Sequence, residues 1–238
     1  MTVRLGSLQT RAIVLDIEGT TTPATFVYEV LFPFARAHAA AFLEQHGDTP
    51  ACRAAVAALR DEQSLDRTQG AAPPPDLLGY ILWLTDRDRK SPGLKALQGL
   101  IWEDEYHSAA LRGEVYPEVP PAFARWRAQG LGLYIYSSGS VLAQRLLFGS
   151  TRAGDLTTFL CGYFDTTTGP KTAPDSYRAI AERIGTAPHE ILFVSDASAE
   201  LDAARAAGMR TALCERGSAA SSQSGAGHPI IRSFDEII

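Results

Sequence analysis

Short apolar runs recur along this chain, and each breaks off into small polar residues. Ala12 to Leu15 is the first, closed by Asp16-Ile17-Glu18-Gly19 and three threonines. Leu131 to Tyr136 ends in Ser137-Ser138-Gly139-Ser140, Ile191 to Val194 ends in Ser195-Asp196, and Met209 to Cys214 follows. Runs of this length bounded by Gly, Ser, Thr and Asp read as buried strands feeding loops. Between them lie segments of helical pattern: Val119 to Gln129 with Gly130 as C′ residue, Val141 to Phe148, and Leu201 to Ala206 with Gly208 closing it. Pro174 suits the first position of a helix that runs to about Ile184 and stops at Gly185. Tyr163 to Asp165 forms a short extended piece before the loop T-T-T-G-P-K. This alternation predicts a parallel sheet with right-handed helical crossovers.

Residues 26–115 have a different texture, rich in Ala and Leu and without strand signals. Thr49-Pro50 and Ser91-Pro92 each pair an N-cap residue with Pro at the first helical position, and Ala71 to Pro75 breaks two helices apart. The expectation is an α/β core of residues 1–25 and 116–238 with an all-helical insertion of 26–115. A helical cap over the carboxyl ends of the strands would exclude water from a site there. Phe26, Phe32 and Trp102 in this stretch read as core. Gly217 to Gly227 reads as a surface loop by composition, and the ending R-S-F-D-E-I-I as a segment docked through Phe234 and Ile237.

Composition narrows the function classes. At 45% apolar and 21% charged residues the chain is ordinary for a globular protein, and its net charge of −5 argues against a nucleic-acid role. No unbroken apolar run reaches the roughly 18 residues of a membrane span, and the N-terminal stretch lacks the apolar region of a secretory signal. Cys52, Cys161 and Cys214 form no C-x-x-C pair and suggest neither zinc nor a disulfide framework, so a reducing cytoplasm is the expected compartment.

Four strand exits carry candidate chemistry. In an open α/β sheet, ligands sit outside the carboxyl ends of the strands. Asp16 and Glu18 at such an end favour a divalent cation held together with a substrate phosphate. An aspartate there can attack phosphorus, and a second acid can serve the leaving oxygen and the incoming water. An Asp after a strand also serves as a plain turn or N-cap residue, and the residues alone leave that open. Ser137 and Ser138, with Gly139, make a phosphate cradle or merely a turn that caps the next helix. Lys171 offers the positive charge that phosphoryl transfer needs, although a lone lysine is usually solvated. Asp196 could complete a Mg²⁺ shell, with Glu200 fixing that loop or acting as an ordinary first-turn helix acid.

Together these segments resemble the four motifs of the haloacid dehalogenase-like phosphohydrolases, with Asp16-Ile17-Glu18 where most members have Asp-x-Asp. The stretches D-I-E-G-T-T, Y-I-Y-S-S-G-S-V and Q-R-L-L-F-G, with L-Q-G-L-I-W at Leu97 to Trp102, Y-F-D-T at Tyr163 to Thr166 and the ending R-S-F-D-E-I, resemble the enolase-phosphatases (acireductone synthases) of methionine salvage. The resemblance implies a Rossmann-like parallel sheet core of haloacid dehalogenase type with a helical cap insertion. It implies a cytoplasmic, monomeric enzyme with one Mg²⁺ per subunit and a small phosphate ester as partner, without nucleic acid or membrane. The reaction implied is enolisation of 2,3-diketo-5-methylthiopentyl-1-phosphate followed by release of phosphate. The family's metal residues fall on Asp16, Glu18 and Asp196, its catalytic pair on Asp16 and Glu18, and its phosphate-binding residues on Ser137, Ser138 and Lys171. The alternative is a general phosphatase of the same superfamily acting on another small ester.

Overall fold

The computed structural model describes residues 3, 10–87, 89, 91–107, 111–217 and 227–238. Strands β1 (Ala12–Leu15), β2 (Gly132–Tyr136), β3 (Gly162–Phe164), β4 (Ile191–Ser195), β5 (Arg210–Cys214) and β6 (Ile230–Ile231) make one parallel sheet in the order β3-β2-β1-β4-β5-β6. Every residue of β1 is buried, which is why it reads as a continuous apolar run rather than an alternating one. The chain fills β2 and β3 on one side of β1 and then β4 to β6 on the other. The strand order therefore reverses at β1, and the crevice at such a switch point is where this architecture places its ligands. Leu15 pairs with Ile135 of β2 and with Val194 of β4. Asp16 consequently leaves the sheet level with Tyr136 and Ser195.

The chain divides into two compact units, Met1–Ala24 with Gly113–Ile238, and Thr25–Arg112. The second unit is helical. A short helix α1 (Ala24–Phe26) passes through a π-helical turn, Val27–Leu31, into α2 (Phe32–His46), and α3 (Pro50–Thr68), α4 (Leu77–Thr85) and α5 (Pro92–His107) follow. Thr49 caps α3 by accepting from the Cys52 N–H at 3.3 Å, and Ser91 accepts from the Leu94 N–H at 2.9 Å. The buried Asp66 carboxylate is satisfied by the Tyr80 hydroxyl at 2.8 Å and by Arg89 at 2.6 Å. Trp102 Nε1 donates to the Leu31 carbonyl at 3.0 Å, and its ring stacks on Phe32. The run Ala24–His46, 23 residues, is long and apolar enough by length and composition to cross a membrane. The pattern gives no such warning because Glu29, Arg36 and Glu44 interrupt it.

In the sheet unit the crossover helices are α6 (Val119–Ala128), α7 (Val141–Gly149), α8 (Pro174–Ile184) and α9 (Ser198–Ala206). Three details depart from the sequence pattern. β3 begins at Gly162 and stops before Asp165, because the Asp165 carboxylate accepts from the Thr167 N–H at 2.9 Å and turns the chain. α9 starts at Ser198, so Glu200 stands in its first turn. The two-residue β6 is a sixth strand that no apolar run announces. The C-terminal segment docks as expected, with Phe234 and Ile237 fully buried. Of the expected surface loop, residues 218–226 lie outside the described residues.

Candidate active site at the end of the central strand

The loop after β1 is a tight turn. The N–H groups of Thr20, Thr21 and Thr22 converge on the Ile17 carbonyl at 3.1, 3.0 and 2.9 Å, and Gly19 N–H closes onto the Thr22 carbonyl at 2.9 Å. Gly19 has a φ of +69°, and a Cβ there would lie 2.2 Å from Asp196 Oδ2. Only glycine therefore lets the Asp16 loop and the Asp196 loop approach this closely.

Asp16 is buried, and three donors fix its carboxylate. Oδ1 accepts from the Ile17 N–H at 2.8 Å and from Lys171 Nζ at 2.6 Å, while Oδ2 accepts from the Ser195 hydroxyl at 3.2 Å. Lys171 reaches Glu200 Oε2 as well, at 2.7 Å. Burial alone would lower the lysine's pKa, but the Asp16 and Glu200 carboxylates outweigh it and hold Lys171 protonated. Two tyrosines hold its loop. The Tyr177 hydroxyl donates to the Lys171 carbonyl at 2.7 Å, and the Tyr136 hydroxyl donates to the Gly169 carbonyl at 2.9 Å. The Lys171 ammonium also lies 5.7 Å from the centre of the Tyr136 ring.

One ammonium faces more negative charge than it can balance. Burial and the Asp16 charge push the Glu200 carboxyl up to about 7, against the pull of Lys171 and Ser195. Asp196 is exposed as a whole residue, yet burial of its carboxyl end and the Asp16 charge push it up to about 6. Among the described residues no three His, Cys, Asp or Glu side chains gather into a metal cage. Mg²⁺, however, commonly binds through one or two carboxylates, several waters and a substrate phosphate. A site short of positive charge, with hard oxygen donors from two adjoining loops, fits that mode.

The remaining expected residues have separate surroundings. Ser137 is buried, and its hydroxyl accepts from the Gly139 N–H at 3.1 Å, the turn that sequence left open. The cap of α7 is Ser140, which accepts from the Ala143 N–H at 3.2 Å, so Ser137 and the half-buried Ser138 are not used as caps. Glu18 is half-buried and forms a β-bridge with Thr22. Glu200 is both a first-turn acid and a partner of Lys171. Ser195, Tyr136 and Tyr177 hold the site together, and sequence reasoning missed them. Their only signal was position, at the end of a strand or in the helix after T-G-P-K.

A buried, lysine-paired aspartate at the strand where the sheet order reverses is suited to phosphoryl chemistry. The chain belongs to the haloacid dehalogenase-like hydrolases, whose family model matches residues 10–208. Within that class it is 50% identical to the enolase-phosphatase E1 of Synechococcus elongatus, over 94% of this chain and 96% of that one. It is 47% identical to the enolase-phosphatase E1 of Azotobacter vinelandii, over 95% and 96% of the two chains. The crystal structure of the UTR4 protein of Saccharomyces cerevisiae is similar, at 33% identity and a TM-score of 0.76 over 95% of this chain and 99% of that one.

Proposed function

We propose that the protein is an enolase-phosphatase of methionine salvage. It enolises 2,3-diketo-5-methylthiopentyl-1-phosphate and then releases phosphate to leave the acireductone. The observation that carries the phosphatase half is the Asp16 carboxylate, clamped by Lys171, Ser195 and its own neighbouring N–H at the switch point of the sheet. The relatives named enolase-phosphatase E1 support the particular substrate.

Asp16 is the nucleophile. One carboxylate oxygen bonds to phosphorus, the ester P–O bond breaks, and the leaving oxygen takes a proton from Glu18. Water then attacks the aspartyl-phosphate, passes a proton to Glu18, and frees Asp16 with inorganic phosphate. Lys171 balances the charge on Asp16 and on the transferred group, while the Ser137 and Ser138 hydroxyls hold the phosphoryl oxygens. Lys171 also supplies positive charge for the enolate oxygen in the first half-reaction. Asp16, Asp196 and the main-chain carbonyl of Glu18 would hold one Mg²⁺, which when bound would screen the phosphoryl oxygens and supply Lewis acidity, while the Glu18 carboxyl carries the proton. The working unit in this reading is a monomer. Free thiols at Cys52, Cys161 and Cys214 support a cytoplasmic setting.

The test mixes protein, Mg²⁺ and the diketo phosphate ester, following ultraviolet absorbance of the enol and free phosphate together. A transient enol followed by phosphate supports both activities. Phosphate without an enol leaves only a general phosphatase, and the absence of both signals sinks the reading.

A further inference from the structure

The turn that carries Glu18 is gripped by a buried arginine nearly two hundred positions away. Arg216 follows β5 by two residues, and its side chain is 9% exposed. Its Nε and Nη2 both donate to the Thr20 carbonyl, at 3.2 and 2.7 Å. Its Nη1 donates to the Arg232 carbonyl at 3.1 Å and pairs with the Glu118 carboxylate. The guanidinium lies 4.2 Å from the centre of the Tyr116 ring and 4.8 Å from that of Phe234.

The turn needs such an anchor. Its amides are spent internally on the Ile17 and Thr22 carbonyls. The hydroxyls of Thr20 and Thr22 are buried without a hydrogen-bond partner among the described residues, so no side-chain hydrogen bond from them anchors it there. What remains are the outward carbonyls, which a buried backbone must pair. Thr21 O accepts from the Tyr116 N–H at 3.0 Å, and Thr20 O takes the two-pronged bond from Arg216, which itself packs on Tyr116. A lysine would keep the charge beside Glu118 but could not deliver two donors in a fixed plane while stacking on two rings.

We infer that Arg216 is a positioning residue for the reaction: it fixes the Glu18–Thr22 turn and thereby the place from which Glu18 moves its proton. The inference rests on Glu18 as the acid and base proposed above. Arg216 touches no reacting atom, so its effect falls on kcat rather than on binding.

The test is Arg216→Lys, with Arg216→Ala as a second variant, read in two independent ways. Displacing a catalytic group by about 1 Å costs on the order of 100-fold in rate, so kcat for phosphate release should fall about that far in Arg216→Lys with KM nearly unchanged. Added guanidinium should restore part of the rate to Arg216→Ala. Hydrogen exchange should quicken at the amides of Gly19 to Thr22 while β1 and β4 stay protected. An unchanged kcat, unchanged turn exchange, or loss of protection across the whole sheet would each overturn the inference, the last by making Arg216 merely structural. A wild-type protein that releases no phosphate would instead sink the role of Glu18, and the turn exchange would still decide whether Arg216 sets the turn.

Discussion

Lys171 Nζ stands 2.6 Å from Asp16 Oδ1, although 155 positions separate the two in the sequence. The same ammonium meets Glu200, so one buried cation serves two acids. Removing one partner of a buried pair leaves the others uncompensated, which costs more than the pair itself contributes. Lys171→Met should therefore lower folding stability by about 3–5 kcal/mol in urea titrations and cut kcat by about 100- to 1,000-fold. The double variant Lys171→Met with Glu200→Gln should recover part of the stability and none of the rate. Equal stability of the single and double variants would contradict this account.

Asp16→Asn keeps the shape of the side chain and removes the proposed nucleophile. Phosphate release should fall by about four orders of magnitude or more, since loss of a nucleophile is rarely compensated. Substrate binding, followed by calorimetry, should survive. A variant that still turns over at a tenth of the wild-type rate would displace Asp16 as the nucleophile.

The Glu200 carboxyl is pushed up to about 7 in the fold from an ordinary 4.5, by burial first and the Asp16 charge second. The folded state therefore binds this proton more tightly than the unfolded chain does. Its stabilising contribution is fully present below pH 4.5 and is lost as pH rises through 7. Relative to Glu200→Gln, the wild-type protein without divalent metal should lose about 2 kcal/mol between these limits. Parallel pH profiles of the two proteins would remove Glu200 as the source.

Thiol chemistry should follow burial. Cys161 is exposed, whereas Cys52 and Cys214 are buried, and burial pushes the Cys214 thiol up to about 12. Iodoacetamide applied to the native protein at pH 8 should label Cys161 alone, with the other two reacting only in denaturant. Mass spectrometry of the digested protein reads the outcome directly.

The parts of the fold legible in sequence were those written locally. Ala12 to Leu15, Ile191 to Val194 and the Pro174 helix announced themselves because an apolar run or a Pro–Gly bracket sits within a few residues of each end. Asp16 and Lys171 were legible as candidates because strand exits are where chemistry collects. Their contact was not, since pairing across 155 positions depends on the strand order. Ser195 looked like the end of a strand, yet its hydroxyl stands 3.2 Å from Asp16 and 3.0 Å from Glu200. Tyr136 and Tyr177 are core aromatics, and nothing local says that their hydroxyls hold the Lys171 loop. The two-residue β6 escaped because a pair of isoleucines has no periodicity to detect. The π-helical turn at Val27–Leu31 escaped because the residues there suit an ordinary helix equally well.

The order of the strands also governs the order of assembly. During synthesis β1 leaves the ribosome first, but its neighbours β2 and β4 begin at Gly132 and Ile191. The helical unit, Thr25–Arg112, is contiguous and can complete its own contacts while β1 still has nothing beside it. Asp16 therefore gains Lys171, Ser195 and Glu200 only when more than four-fifths of the chain exists. A nascent chain that stops before Lys171 carries the aspartate with neither of the long-range donors that hold it.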